Sequence, residues 1–241
     1  MTTSKPFPKS FGLLLFPGFE VLDVAGPIEI LNCLARREGY DDMNLSVINR
    51  TLDPVSPGPV PPHTAGKAFT GNQLYLPTHS LDTAPEIDVL LVPGGFGAFD
   101  LNKTNLEDYI DFIRDRYKGS DGHKPLKYLI SVCNGAGLLA KSGILDGRRA
   151  TTNKDFWEEV AAYGPKTHWI AKARWVTDGN IWTTSGVSAG ADGVIAWLAS
   201  LIPKEIVDDV VNGVEWFRAK DADNDPFAEH FGRRDIAPVE A

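Results

Sequence analysis

The residue best suited to covalent chemistry is Cys133. It follows the apolar run Leu129-Ile130-Ser131-Val132 and precedes Asn134, Gly135 and Gly137, after which Leu138-Leu139-Ala140 reads as helix. A strand passing into a helix through small residues is the layout of a nucleophile elbow, which lifts the reactive atom out at the carboxyl end of the strand. The first N–H groups of the helix would favour a thiolate there. A cysteine in such a run can equally be a small buried residue. Two further stretches bear on the choice. Asp23 follows the apolar run Phe11-Gly-Leu-Leu-Leu-Phe16, and Gly94-Gly95 follow Ile87-Asp-Val-Leu-Leu-Val92. An acid, a glycine turn that exposes backbone N–H groups and a thiol thus each follow an apolar strand.

These groups meet only if the strands lie side by side. The near-continuous apolar runs predict central parallel strands covered on both faces. Asn44–Asn49 alternates and predicts a further strand. Helical spacing predicts helices from about Pro27 through Ala35, over 106–117, 154–163 and 191–201, and from Pro203 to about Arg218. Asp23 would then sit in the loop before the first helix, as a capping acid or as a partner of the thiol. Residues 66–76 read as a small hairpin turning at Gly71-Asn72, and 169–184 as a second hairpin turning at Asp178-Gly179. Strand and helix in alternation give an α/β fold with an open, mostly parallel sheet and helices on both faces. Ligands of such sheets bind beyond the carboxyl ends of the strands. Nothing in the 241 residues suggests a linker between domains, so residues 1–9 read as a flexible N-terminus and 10–241 as one domain.

Composition narrows the partners. Net charge is −8, which argues against a nucleic-acid-binding face. Cys33 and Cys133, far apart in sequence, form no disulfide framework, and no Cys/His spacing suggests zinc or another metal. No signal peptide or membrane span is legible, so a cytoplasmic protein is expected. There is no GxGxxG and no Walker lysine, and no cofactor is expected.

The same residues carry a family likeness. Leu15-Phe-Pro-Gly-Phe-Glu-Val-Leu-Asp-Val-Ala-Gly-Pro27, Val92-Pro-Gly-Gly-Phe-Gly97, Ser131-Val-Cys-Asn-Gly-Ala136 and the segments 143–152 and 177–190 resemble the ThiJ/PfpI family of the class I glutamine amidotransferase-like superfamily. The Leu-Asp-Val-Ala-Gly-Pro form looks most like the isonitrile hydratase branch. The form also occurs in AraC-type regulators, whose C-terminal helix-turn-helix domain this sequence has no room for. The resemblance implies a flavodoxin-like fold and a homodimer. It implies Cys133 as nucleophile, Asp23 as its acid partner, and an anion-stabilising pocket of backbone N–H groups near Gly94, Gly95 and Asn134. Phe19 and Phe96 flank the motif loops and, with Gly135, are expected to line a pocket for a small electrophilic substrate.

Two departures shape the expected activity. Asn134 follows the cysteine where many relatives have His and isonitrile hydratases often have Thr, and Asn153 follows Ala-Thr-Thr where many relatives have His. His63, His79, His123, His168 and His230 lie outside the matched motifs, so protease and glutaminase readings lose their base. The expected reaction is hydration of an isonitrile through a Cys133 thioimidate. Its competitors are a glyoxalase-type conversion of methylglyoxal, an oxidation sensor or chaperone, and a pathway-specific biosynthetic enzyme. Whether Asp225-Pro226-Phe227 folds back over the site is left open by periodicity.

Overall fold

A computed structural model of the chain describes residues 6–58, 67–102, 104–120 and 122–239. The first apolar run forms β1 (Ser10–Leu14), followed by α1 (Val21–Ala35), β2 (Asn44–Asn49), the short α2 (Lys67–Thr70), β3 (His79–Ser80) and β4 (Val89–Val92). Next come α3 (Glu107–Lys118), β5 (Tyr128–Val132), α4 (Gly135–Lys141), β6 (Arg149–Ala150), α5 (Trp157–Ala161) and β7 (His168–Trp169). The hairpin β8 (Trp175–Asp178) and β9 (Ile181–Thr184) precedes α6 (Ala189–Ala199), α7 (Lys204–Gly213) and α8 (Pro226–His230).

Seven strands form one sheet in the order β3-β2-β1-β4-β5-β9-β8. Every pairing is parallel except β8 with β9. β6 and β7 pair parallel in a separate small sheet. The central strands β4 and β5 are buried almost throughout, as strands covered on both faces must be. α1, α6 and α7 pack together over the sheet, and α3, α4 and α5 form a second group. α3 buries Tyr109, Ile110, Phe112 and Ile113 on one face, carries acids in its first turn and bases in its last, and stops at Gly119 in the left-handed region. The chain runs outward from β1 through β2 to β3, then returns to β4 on the other side of β1. The switch point between β1 and β4 opens a crevice at the carboxyl ends of the strands, where the loops after β1, β4 and β5 converge.

Several elements differ from expectation. α1 begins at Val21, so Asp23 lies in its first turn and Pro27 inside the helix. α1 packs against α6, with Gly26 facing Ala191 at ordinary van der Waals distance. Residues 67–70 are helical rather than part of a hairpin, and Tyr75 instead bridges Val55; Gly66 and residues 59–62 of the proline-rich loop lie outside the described residues. The expected helix 154–163 shortens to Trp157–Ala161, and Trp169 belongs to β7 rather than to the β8–β9 hairpin. Residues 6–9 are packed, with Phe7 against Tyr40 and Trp197; residues 1–5 lie outside the described residues.

Candidate active site

The thiol stands where the strand-to-helix turn forces it. Cys133 has φ 58°, an uncommon conformation for a residue with a side chain. Surrounding hydrogen bonds hold it there. Its N–H donates to Thr184 O and Ser185 O, and its C=O accepts from Thr152 Oγ1 at 2.8 Å. Such strain persists only where neighbours over-determine it, and it concentrates at functional sites.

Asp23 approaches from α1. Its Oδ2 accepts the Gly94 N–H at 2.8 Å, and its Oδ1 is buried with no hydrogen-bond partner. Burial pushes the Asp23 carboxyl well above the ordinary carboxylate range; the Gly94 N–H and the neighbouring Cys133 thiol oppose that only in part, and the negative charge of Glu20 adds to it. Cys133 is also raised, first by burial and then by the Asp23 charge. Backbone N–H groups of Asn134 and Val187 pull the other way and are outweighed. The expectation of a thiolate favoured at rest is therefore corrected: desolvation and a neighbouring acid win over the helix N-terminus. Acid and thiol titrate as a coupled pair.

The glycine turn also differs from expectation. The Gly94 N–H is taken by Asp23, and the Gly95 N–H by Asn134 Oδ1 at 2.7 Å, so neither is free to stabilise an anion. Asn134 Nδ2 donates to Gly95 O at 3.0 Å, so one amide side chain clamps both sides of Gly95. Gly95 has φ 130°, and a Cβ there would collide with the Glu20 nitrogen. Only glycine fits where these loops cross. The N–H groups that face the sulfur belong to Asn134 and Val187, the latter with φ 39° in the turn after β9.

Around Cys133 lies a cavity of about 290 Å³. Gly95, Phe96 and Asn134 line it as expected. Phe19 does not: it is buried and packs edge-on against Tyr75 at 4.9 Å. Gly135 is likewise not among the lining residues; it is packed against the carbonyls of Val92 and Pro93. Phe227 also lines it, so the segment Asp225-Pro226-Phe227, left open by periodicity, does reach the site; Glu20, Asn153, Phe156, Val187 and Phe231 line the cavity without having been foreseen there. Glu20 had a local signal, since it lies three residues before Asp23 in the same motif. Phe231 had none, because it arrives from the far end of the chain. No histidine lines the cavity among the described residues; His63 lies outside them. Among the described residues no group of three or more His, Cys, Asp or Glu could hold a metal ion, and no helix is long and apolar enough to cross a membrane.

Lys154 is a second group that sequence reasoning missed. Its ammonium is buried, donates to Thr151 Oγ1 and Thr152 O at 2.7 Å and to Ala173 O at 3.1 Å, and lies 3.6 Å from Asp225. Burial lowers its pKa to about 8, although Asp225 opposes the shift. Asp225 lies equally deep, 3.8 Å from Arg174, which is bound to Asp192 at 2.9 Å. Lys154→Met would leave Asp225 with a poorer counter-charge. The expected loss is about 3–5 kcal/mol, typical of a broken buried pair, read from urea denaturation. A loss below about 1 kcal/mol would contradict this assignment.

Comparison with known proteins fits this geometry. The chain is 32% identical to the isonitrile hydratase of Pseudomonas putida over 191 residues, 79% of this chain and 71% of that protein. It is 27% identical to the HTH-type transcriptional regulator GbdR of Pseudomonas aeruginosa, but spans only 44% of that protein's length. Among solved structures, a ThiJ/PfpI family protein from Pseudomonas syringae superposes with TM-score 0.63 at 24% identity, over 88% of this chain and 76% of that one. Drosophila melanogaster DJ-1beta superposes with TM-score 0.64 at 19% identity, over 87% of this chain and 98% of that one. These superpositions share the flavodoxin-like fold. The DJ-1/PfpI family pattern itself matches residues 9–202, from β1 through α6, and the chain belongs to the DJ-1/PfpI family.

Proposed function

We propose that the chain is a cysteine-dependent hydratase that needs no cofactor and converts an isonitrile into an N-substituted formamide. The observation that carries this reading is the buried Asp23–Cys133 pair: an acid whose pKa is raised by burial beside a thiol at the edge of an apolar cavity. Similarity to an isonitrile hydratase supports the same reaction class.

The Gly94 N–H marks Asp23 Oδ2 as the carbonyl oxygen, so the proton belongs on Oδ1. The thiol gives its proton to the Asp23 carboxyl as its sulfur bonds to the terminal carbon of R–N≡C, and the proton Asp23 already carried goes to that carbon. The product is the thioimidate R–N=CH–S–Cys133, with one proton again on Asp23. Water adds across C=N to give R–NH–CH(OH)–S–Cys133. The C–S bond then breaks, the hydroxyl proton returns to sulfur through Asp23, and R–NH–CHO leaves. The N–H groups of Asn134 and Val187 stabilise sulfur whenever it carries charge. Glu20, on the cavity wall, is suited to orient the water.

A glyoxalase reaction would need a base to move a proton between carbons; the described lining residues offer no histidine for it, and the role would fall to Asp23 or Glu20. A panel of methyl isonitrile, benzyl isonitrile and methylglyoxal, with products identified by mass spectrometry, tests the proposal. Formamide is expected. Lactate without formamide would transfer the protein to the glyoxalase class. The homodimer belongs to the same proposal and is checked by analytical ultracentrifugation.

A further inference from the structure

The family pattern ends at residue 202, yet the cavity is closed in part by Phe227 and Phe231, which lie beyond it. The segment that carries them is pinned. The Asp225 N–H donates to Lys172 O at 2.8 Å, and its carboxylate caps α8 through the Phe227 N–H. Arg233 donates to the Lys154 and Asp155 carbonyls, Trp157 Nε1 donates to Arg234 O, and Ile236 pairs with Trp169. α8 is therefore held from both ends over the site. Phe227 and Phe231 are nevertheless 48% and 37% exposed, while Cys133 is 7% exposed. The reacting atom lies at the floor of the cavity and the rings at its mouth, on the same cavity as Phe96 and Phe156.

We propose that the C-terminal strap, through Phe227 and Phe231, is the specificity-determining wall of the pocket and selects isonitriles bearing a single aromatic ring or a bulky aliphatic group over methyl isonitrile. This rests on the hydratase reading above. A cavity of about 290 Å³ is at the small end of the ~300–1,000 Å³ typical of ligand sites, so it suits one ring rather than an extended chain. Rings fixed by a pinned backbone lose little freedom when a ligand stacks on them, whereas rings on a loose tail would first have to be ordered.

The test compares kcat/KM for benzyl and methyl isonitrile in wild type and in the Phe227→Ala/Phe231→Ala double variant. The benzyl-to-methyl ratio should fall about tenfold or more, the scale on which lost apolar contacts discriminate substrates. An unchanged ratio, or an equal fall for both substrates, overturns the proposal. Binding separates specificity from chemistry: Kd values for N-benzylformamide and N-methylformamide are measured calorimetrically in Cys133→Ala, with and without the two rings. If wild type hydrates no isonitrile, the hydratase reading fails and the Kd ratio alone decides the strap. A benzyl preference that disappears with the rings supports it, and no preference, or one that survives their removal, overturns it.

Discussion

Cys133→Ala is expected to abolish isonitrile hydration, with kcat falling about 10⁴-fold or more, the scale seen when a nucleophile is removed from a site that still binds. The expectation follows from the site's economy of groups. Among the described lining residues Cys133 is the only thiol, and no histidine is present to recruit another nucleophile. Cys133→Ser sharpens the point. A hydroxyl is a far weaker acid than a thiol, and Asp23, already reluctant to lose its own proton, is a poor base for it. Serine should therefore restore little activity. Steady-state formamide production by both variants checks this, and wild-type activity in the serine variant would sink the covalent mechanism.

Asp23→Asn is expected to lower kcat about 10²–10³-fold, the usual share of a positioned acid or base. The amide oxygen can still accept the Gly94 N–H, so the loop after β4 keeps its anchor while the transferable proton is gone. Stability should move the other way with pH. The unfolded Asp23 ionises near pH 3.9, whereas the folded carboxyl holds its proton to a higher pH because burial disfavours the anion. Between those two values the native state binds one proton more than the unfolded state. Wild type therefore loses stability as pH rises through that window, by up to about 1.4 kcal/mol per unit for this one group. The asparagine variant lacks that loss. Urea midpoints measured from pH 4.5 to 7.5 should show the variant gaining on wild type as pH rises. Parallel curves would mean that Asp23 is not held protonated by the fold.

The fold was largely legible because parallel strands announce themselves as unbroken apolar runs. Phe11–Leu14, Val89–Val92 and Leu129–Val132 are all core strands, and their order in the sheet brings Asp23, Gly94 and Cys133 together. What escaped the sequence is set by tertiary competition. Pro27 reads as a helix start, but the helix begins at Val21 and α1 packs against α6. Gly94 and Gly95 read as free N–H donors, but two side chains from other loops, Asp23 and Asn134, occupy them. Phe19 sits in a motif loop, yet its ring turns into the core against Tyr75. The helix N-terminus promised a thiolate, and burial beside an acid reversed the balance. The Lys154–Asp225 pair joins residues with no local pattern in common, so periodicity left open whether the segment carrying Phe227 reaches the site, and it is this pair and its neighbours that hold it there.

The central claim is that Cys133 forms the bond to substrate carbon and Asp23 supplies the proton. Rapid-quench mixing of the protein with benzyl isonitrile, followed by intact-mass and peptide mass spectrometry, tests it most directly. The prediction is a transient adduct equal to the mass of one isonitrile, mapped to Cys133, which decays as N-benzylformamide appears and is absent in Cys133→Ala. Formamide released at the wild-type rate by Cys133→Ala would contradict the account.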